Sequence, residues 1–202
     1  MYLKALRRKM KNKTLKKIIL FASGSGSNVQ NIIEYFSAFD RITTELVLTN
    51  NKKAGVLDRA KSLNVPFYLF KKEEYLDDSL LNKLQTIKPD LIVLAGFLLK
   101  IPKSIVAAYP DKIINIHPAL LPKHAGKGMY GDRVHQSVLD SGDSQTGITI
   151  HYVNENYDEG SIIFQRAVEV SKADTVESIA NKVHQLEYMH YPEVVHQLLK
   201  DQ

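Results

Sequence analysis

The chain contains no cysteine among its 202 residues. Disulfides, thiolate metal sites and cysteine nucleophiles are therefore excluded, and a reducing, cytoplasmic setting is expected. No apolar run approaches the roughly 20 residues that span a bilayer, so no membrane partner is expected. Acids are missing from residues 1–17, which carry Lys4, Arg7, Arg8, Lys9, Lys11, Lys13, Lys16 and Lys17. Without those eight, 19 basic and 22 acidic residues remain, so the overall charge of +5 becomes −3. The basicity belongs to a leader rather than to the body. Residues 1–15 are expected to be a disordered or short helical extension, and nucleic acid is not an expected partner. The composition, 44% hydrophobic and 24% charged, is that of a soluble globular chain with a real core.

The apolar pattern organises that core. A buried strand (17–22) leads through Ser23-Gly24-Ser25-Gly26-Ser27-Asn28 into a helix (29–36), followed by strand (44–49), helix (54–63) and strand (65–70). A helix is predicted over 76–87. The most uniformly apolar strand (91–95) is expected to be central. Helix 102–109, strand 112–117, a glycine-rich loop 122–132 and helix 133–140 follow. The alternating segments 147–153 and 161–170 predict an antiparallel pair, and 175–199 a C-terminal helix interrupted near Tyr191-Pro192. The fold class is α/β, a doubly wound, mostly parallel sheet with an appended antiparallel pair and C-terminal helix.

Three constellations carry chemistry. The first is the loop Gly24–Asn28. A strand–glycine loop–helix aims backbone N–H groups and a helix N-terminus at one point, a site for a phosphate. Position 29 is valine, so the dinucleotide pattern G-x-G-x-x-G fails, and no Gly-Lys-Ser/Thr follows to make a Walker loop. The plain alternative is a structural turn. The second is Asn115-Ile116-His117, whose polar side chains share one face of a strand end. An amide beside an imidazole can stabilise an oxyanion and move a proton at a carbonyl centre. A hydrogen-bonded structural histidine is the plain alternative. A metal is not expected, because His124, His135, His151, His184, His190 and His196 show no ligand spacing. The third is Asp158 in Asn156-Tyr157-Asp158-Glu159-Gly160, a loop acid that would raise the imidazole pKa if it reached His117.

Together these strings resemble the folate-dependent formyltransferases. The resemblance rests on Gly24-Ser25-Gly26-Ser27-Asn28, Leu94-Ala95-Gly96-Phe97, Asn115-Ile116-His117-Pro118-Ala119-Leu120-Leu121-Pro122, Gly147–Val153 and Tyr157-Asp158-Glu159-Gly160, in that order. It runs from about Lys16 to the C-terminus as one domain (16–202) with a Rossmann-like fold. It implies formyl transfer from 10-formyltetrahydrofolate, as co-substrate, to the amine of glycinamide ribonucleotide in purine biosynthesis. Asn115, His117 and Asp158 match the family's catalytic residues, with His117 protonated. Gly26, Ser27 and Asn28 match its substrate-phosphate site, and His184 and Glu187 its ribonucleotide site. Leu98, Leu99, Lys100, Ile101, Asn115, Asn154, Glu155, Asn156 and Tyr157 match the folate walls. Lys72 stands where many relatives have an arginine that helps hold the folate. Many relatives also have arginine at the position of Leu99. The glycine-rich loop is longer than in short relatives, and the leader has no counterpart. A monomer or homodimer acting on small molecules is expected. Alternatives are a methionyl-tRNA formyltransferase or a 10-formyltetrahydrofolate hydrolase, for whose extra domains 202 residues leave no room. A non-catalytic phosphosugar-binding module is the alternative outside enzymes.

Overall fold

In the computed structural model, which describes residues 15–201, the chain is built on one seven-stranded sheet. The expectation for residues 1–14 lies outside the described residues. The elements run β1 (Lys16–Phe21), α1 (Ser27–Phe36), β2 (Ile42–Thr49), α2 (Val56–Ser62), β3 (Phe67–Leu69), α3 (Lys72–Leu76), α4 (Ser79–Ile87) and β4 (Leu91–Leu94). There follow α5 (Lys103–Ala108), β5 (Ile113–His117), α6 (Asp132–Asp140), β6 (Gln145–Tyr152), β7 (Ile162–Glu169) and α7 (Val176–Lys200).

The spatial order is β3-β2-β1-β4-β5-β6-β7. The first five strands are parallel, and β6 and β7 add antiparallel. β4, the uniformly apolar strand, is the middle one, as expected. Strand order reverses between β1 and β4, the switch point where such sheets open a crevice. Alternation along the strands feeds two cores. Ile18, Leu20, Val93, Ile114 and Ile116 pack with Val29, Ile32, Tyr191 and Val195 of α1 and α7. Ile19, Phe21, Ile92, Leu94 and Ile113 pack on the other side with Leu80, Leu84 and Ile105 of α4 and α5.

Two expectations need correction. The helix predicted over 76–87 begins later, at Ser79, and Leu76 instead ends the separate short helix α3. Asp78 takes a left-handed φ of 62°, Asp77 accepts from the Ser79 N–H (3.0 Å), and Ser104 Oγ donates to Asp78 (2.6 Å). Aspartates tolerate that conformation and offer the backbone local partners, so the break falls there. The C-terminal helix is continuous through Pro192. Proline removes the N–H that would reach the Tyr188 carbonyl. The Asn31 side chain of α1 donates to that carbonyl instead (2.9 Å). The acceptor is satisfied from a neighbouring helix, so α7 need not end.

Candidate active site

The loops after β1 and β4 are joined at the switch point. Ser23 N–H donates to Gly96 O (2.9 Å), and Leu98 N–H donates to Ser23 Oγ (3.1 Å). Ser23 Oγ in turn donates to Asn50 Oδ1 (2.7 Å). Above them opens a cleft of about 540 Å³.

One wall is the glycine loop. Gly26 has φ 76°, and a Cβ there would lie 2.5 Å from Val56. Only glycine permits both the left-handed turn and that approach. α1 starts at Ser27 with no side-chain cap and no acid in its first turn. Its first N–H groups are therefore open to an anion. Gly26, Ser27 and Asn28 line the cleft, with His184 and Glu187 of α7. Asn28 Nδ2 donates to Glu187 Oε2 (2.9 Å), while Asn28 Oδ1, also buried, has no partner. Burial pushes the Glu187 carboxyl up, opposed by the Asn28 hydrogen bond and the charge of His184.

The facing wall is the end of β5. Asn115 and His151 are cross-strand partners on β5 and β6. His151 Nδ1 lies 2.8 Å from the Tyr152 carbonyl oxygen, so it carries the proton, and Nε2 accepts from Asn115 Nδ2 at 3.2 Å. That fixes the Asn115 amide with its second N–H free for the cleft. His117 is 3% exposed. Its Nε2 donates to the carbonyl of His124 (2.8 Å), and its Nδ1 lies 3.7 Å from Asp158 Oδ1.

Asp158 reaches both histidines from the loop between β6 and β7, since His151 Nε2 is also 3.7 Å from its Oδ1. Three features hold it there. Its φ is 57°, its Oδ2 accepts from Gly126 N–H (3.0 Å), and a Cβ on Gly160 would lie 1.7 Å from the Tyr152 carbonyl oxygen. At 3.7 Å both separations are too long for hydrogen bonds. Burial lowers the pKa of His117, opposed chiefly by the charge of Asp158 and the His124 carbonyl. Burial thus disfavours the protonated ring that the resemblance implies, and Asp158 and the His124 carbonyl favour it. Burial also lowers His151, opposed by the Tyr152 carbonyl and Asp158.

The third side of the cleft is formed by Leu98, Leu99, Lys100, Ile101, Asn154, Asn156 and Tyr157. Tyr75 Oη donates to the Lys100 carbonyl (2.7 Å), and the Lys100 ammonium stands 5.8 Å from the Tyr157 ring centre. Two matched positions lie off this lining. Lys72 is exposed at the start of α3, and Glu155 pairs with Lys103 on the surface (2.7 Å).

Sequence reasoning missed His151 and His135. The inward alternation of Gly147–Val153 could have flagged His151, two residues beyond Thr149 on the buried face. His135, on α6, is 2% exposed and lines the cleft with its Nδ1 unpartnered. A lone histidine in a helix gave no signal. Among the described residues, no group of three histidine, cysteine or acidic side chains could hold a metal ion.

An amide, an imidazole and a carboxylate facing an open helix N-terminus define a class of acyl-handling sites, and comparison with known proteins identifies which. Residues 16–195 match the formyl transferase family, and the chain belongs to it. Phosphoribosylglycinamide formyltransferase of Bacillus subtilis is 35% identical over 191 residues, covering 92% of this chain and 95% of that protein. The chloroplastic phosphoribosylglycinamide formyltransferase of Arabidopsis thaliana is 42% identical over 188 residues, covering 89% of this chain; the match spans 64% of the plant protein. Among solved structures, phosphoribosylglycinamide formyltransferase of Streptococcus pneumoniae superposes with a TM-score of 0.81 at 35% identity, covering 92% of this chain and 99% of that one. Glycinamide ribonucleotide transformylase 1 of Geobacillus kaustophilus gives 0.83 at 34% identity, with the same coverages.

Proposed function

We propose that this protein transfers the formyl group of 10-formyltetrahydrofolate to the amine of glycinamide ribonucleotide; the relatives it matches are named phosphoribosylglycinamide formyltransferases. The observation that carries the reading is the approach of Asp158 to His117 beside Asn115, opposite an uncapped helix N-terminus in the same cleft. The phosphate of the ribonucleotide would meet the N–H groups of Ser27 and Asn28, with Glu187 and His184 along its ribose. The pterin would lie against Leu98–Ile101 and the 154–157 loop.

The chemistry follows from the placement of these groups. The substrate amine attacks the formyl carbon, and a C–N bond forms as the carbonyl becomes an oxyanion. The free N–H of Asn115 donates to that oxygen, an interaction typically worth about 3 kcal/mol. Nδ1 of His117, the nitrogen not engaged by the His124 carbonyl, takes the proton of the attacking nitrogen. Asp158 stabilises the imidazolium that results. The proton passes to N10 of the folate as the bond from N10 to the formyl carbon breaks. Formyl-glycinamide ribonucleotide and tetrahydrofolate leave.

Residues 16–202 act in this reading as one formyltransferase domain, a cytoplasmic monomer or homodimer, with the basic segment 1–15 outside the chemistry. No helix of the described residues is long and apolar enough to cross a membrane. The test is a folate absorbance assay with glycinamide ribonucleotide and a panel of other amines. Turnover with the ribonucleotide alone is the expected result. Absence of transfer, or equal rates for unphosphorylated amines, would overturn the reading.

A further inference from the structure

An imidazole offers two nitrogens, and something must decide which one of His117 works. Its Nε2 lies 2.8 Å from the carbonyl oxygen of His124. A carbonyl has no proton to give, so Nε2 carries one in every state. Nδ1, the nitrogen facing Asp158, is then the one that gains and loses a proton. The position of one backbone carbonyl thus sets the tautomer of the reactive ring.

No strand or helix ladder holds that carbonyl. His124 lies in the loop between β5 and α6 with φ 54°, a conformation that side-chain-bearing residues adopt reluctantly. Its own ring is gripped at both nitrogens. Nδ1 is 2.8 Å from Ser137 Oγ on α6, and Nε2 is 2.8 Å from Asp143 Oδ2 just before β6. Asp143 also receives the Lys123 ammonium (2.7 Å), and these two hydrogen bonds hold its carboxyl below the usual carboxylate range. An ionised carboxylate only accepts, so His124 Nε2 donates to it, and Nδ1 shares its hydrogen bond with the Ser137 hydroxyl. The connectivity resembles that of a hydrolytic triad. Ser137, however, sits inside α6, where the backbone N–H groups around it are spent on helix bonds and none is left for an oxyanion.

We infer that His124 is a positioning residue: Asp143 and Ser137 clamp its imidazole, and the clamped residue presents the backbone carbonyl that fixes the tautomer and orientation of His117. The groups facing His117 are Asp158 from the 158 loop, His151 from β6, the His124 carbonyl and His135 from α6. Those facing His124 are Asp143, Lys123, Ser137 and the ring of His117. His124→Phe keeps the ring volume and loses both grips, and Asp143→Ala loses one.

The inference rests on the formyl-transfer reading for its consequence, and the experiment separates the two. Full-length protein labelled with ¹⁵N reports the His117 tautomer directly, the signal being assigned by its loss in His117→Asn. The wild type is expected to show a single Nε2–H tautomer, and His124→Phe and Asp143→Ala a mixture of tautomers. In the formylation assay kcat should fall by about 10- to 100-fold, the scale expected for a small misplacement of a reacting group. The KM for both substrates should hold, the pH profile of kcat should shift, and the double variant should lose no more than His124→Phe alone. If His124→Phe fails to fold, Ser137→Ala leaves the ring in place and makes the same comparison. An unchanged tautomer together with an unchanged kcat and pH profile in folded variants would overturn the inference. A wild type inactive in formyl transfer would sink the function while the tautomer measurement still decides the clamp.

Discussion

The two walls of the cleft are made of different material. The anion wall is mostly backbone: a left-handed glycine, an uncapped helix start and one buried carboxylate above it. The reaction wall is made of side chains held by other partners: Asn115 by His151, His151 by Tyr152, His117 by His124, and Asp158 by Gly126. A phosphate needs only donors at fixed points, which rigid backbone supplies. Proton transfer needs a ring in a chosen tautomer, which backbone alone cannot supply and a hydrogen-bond network can.

The comparison can be broken most severely at His117. His117→Ala is expected to lower kcat by about 10²–10⁴-fold, the usual span for a positioned acid–base group, with the KM for the ribonucleotide held. Turnover close to wild type in the purified, folded variant would show that the side-chain wall does not do the chemistry.

The anion wall should respond in the opposite kinetic parameter. Gly26→Ala forces a Cβ against Val56 at 2.5 Å and a left-handed φ, which costs about 1–2 kcal/mol for the backbone alone. A Cβ added at Gly24 would meet nothing within 4 Å. Gly26→Ala should raise the KM for the phosphorylated substrate and lower the melting temperature, while Gly24→Ala should leave the melting temperature near wild type. Equal effects from the two would mean that the loop is not tuned around Gly26.

The walls should also titrate in opposite senses, a smaller effect read by thermal denaturation. Burial is the largest influence on His117, His135 and His151, and all three pKa values are lowered from 6.5. The folded chain therefore binds fewer protons than the unfolded one near that value. The stability contributed by these neutral rings is complete above 6.5 and lost as pH falls through the folded values. Glu187 is raised, so its contribution is present toward acid and lost as pH rises. The melting temperature should fall between about pH 7.5 and about pH 5.5, and fall more steeply in Glu187→Gln. A flat profile in both proteins would contradict the burial argument.

Local rules made much of this fold legible. The strand–glycine loop–helix unit, the central place of β4, the antiparallel tail and the shared face of Asn115 and His117 all follow from short-range pattern. The failures share a different cause. Pro192 does not interrupt α7 because Asn31, 157 positions from the Tyr188 carbonyl in sequence, satisfies the acceptor it orphans. The break at Asp77-Asp78 depends partly on a hydroxyl from Ser104. The roles of His151 and His124 exist only once β5 pairs with β6 and the 124 loop folds under them. Partners distant in sequence leave no local periodicity. Lys72, placed by likeness alone, stands off the cleft lining.

The central claim is that a residue carried by the antiparallel addition completes the reaction wall of the parallel sheet. Steady-state kinetics of Asp158→Asn test it most directly, since the substitution keeps shape and removes charge. We predict a fall in kcat of about 100-fold or more, within the range for acid–base groups, with the KM for glycinamide ribonucleotide unchanged and the fold intact. Near-normal kcat in the folded variant would contradict the account.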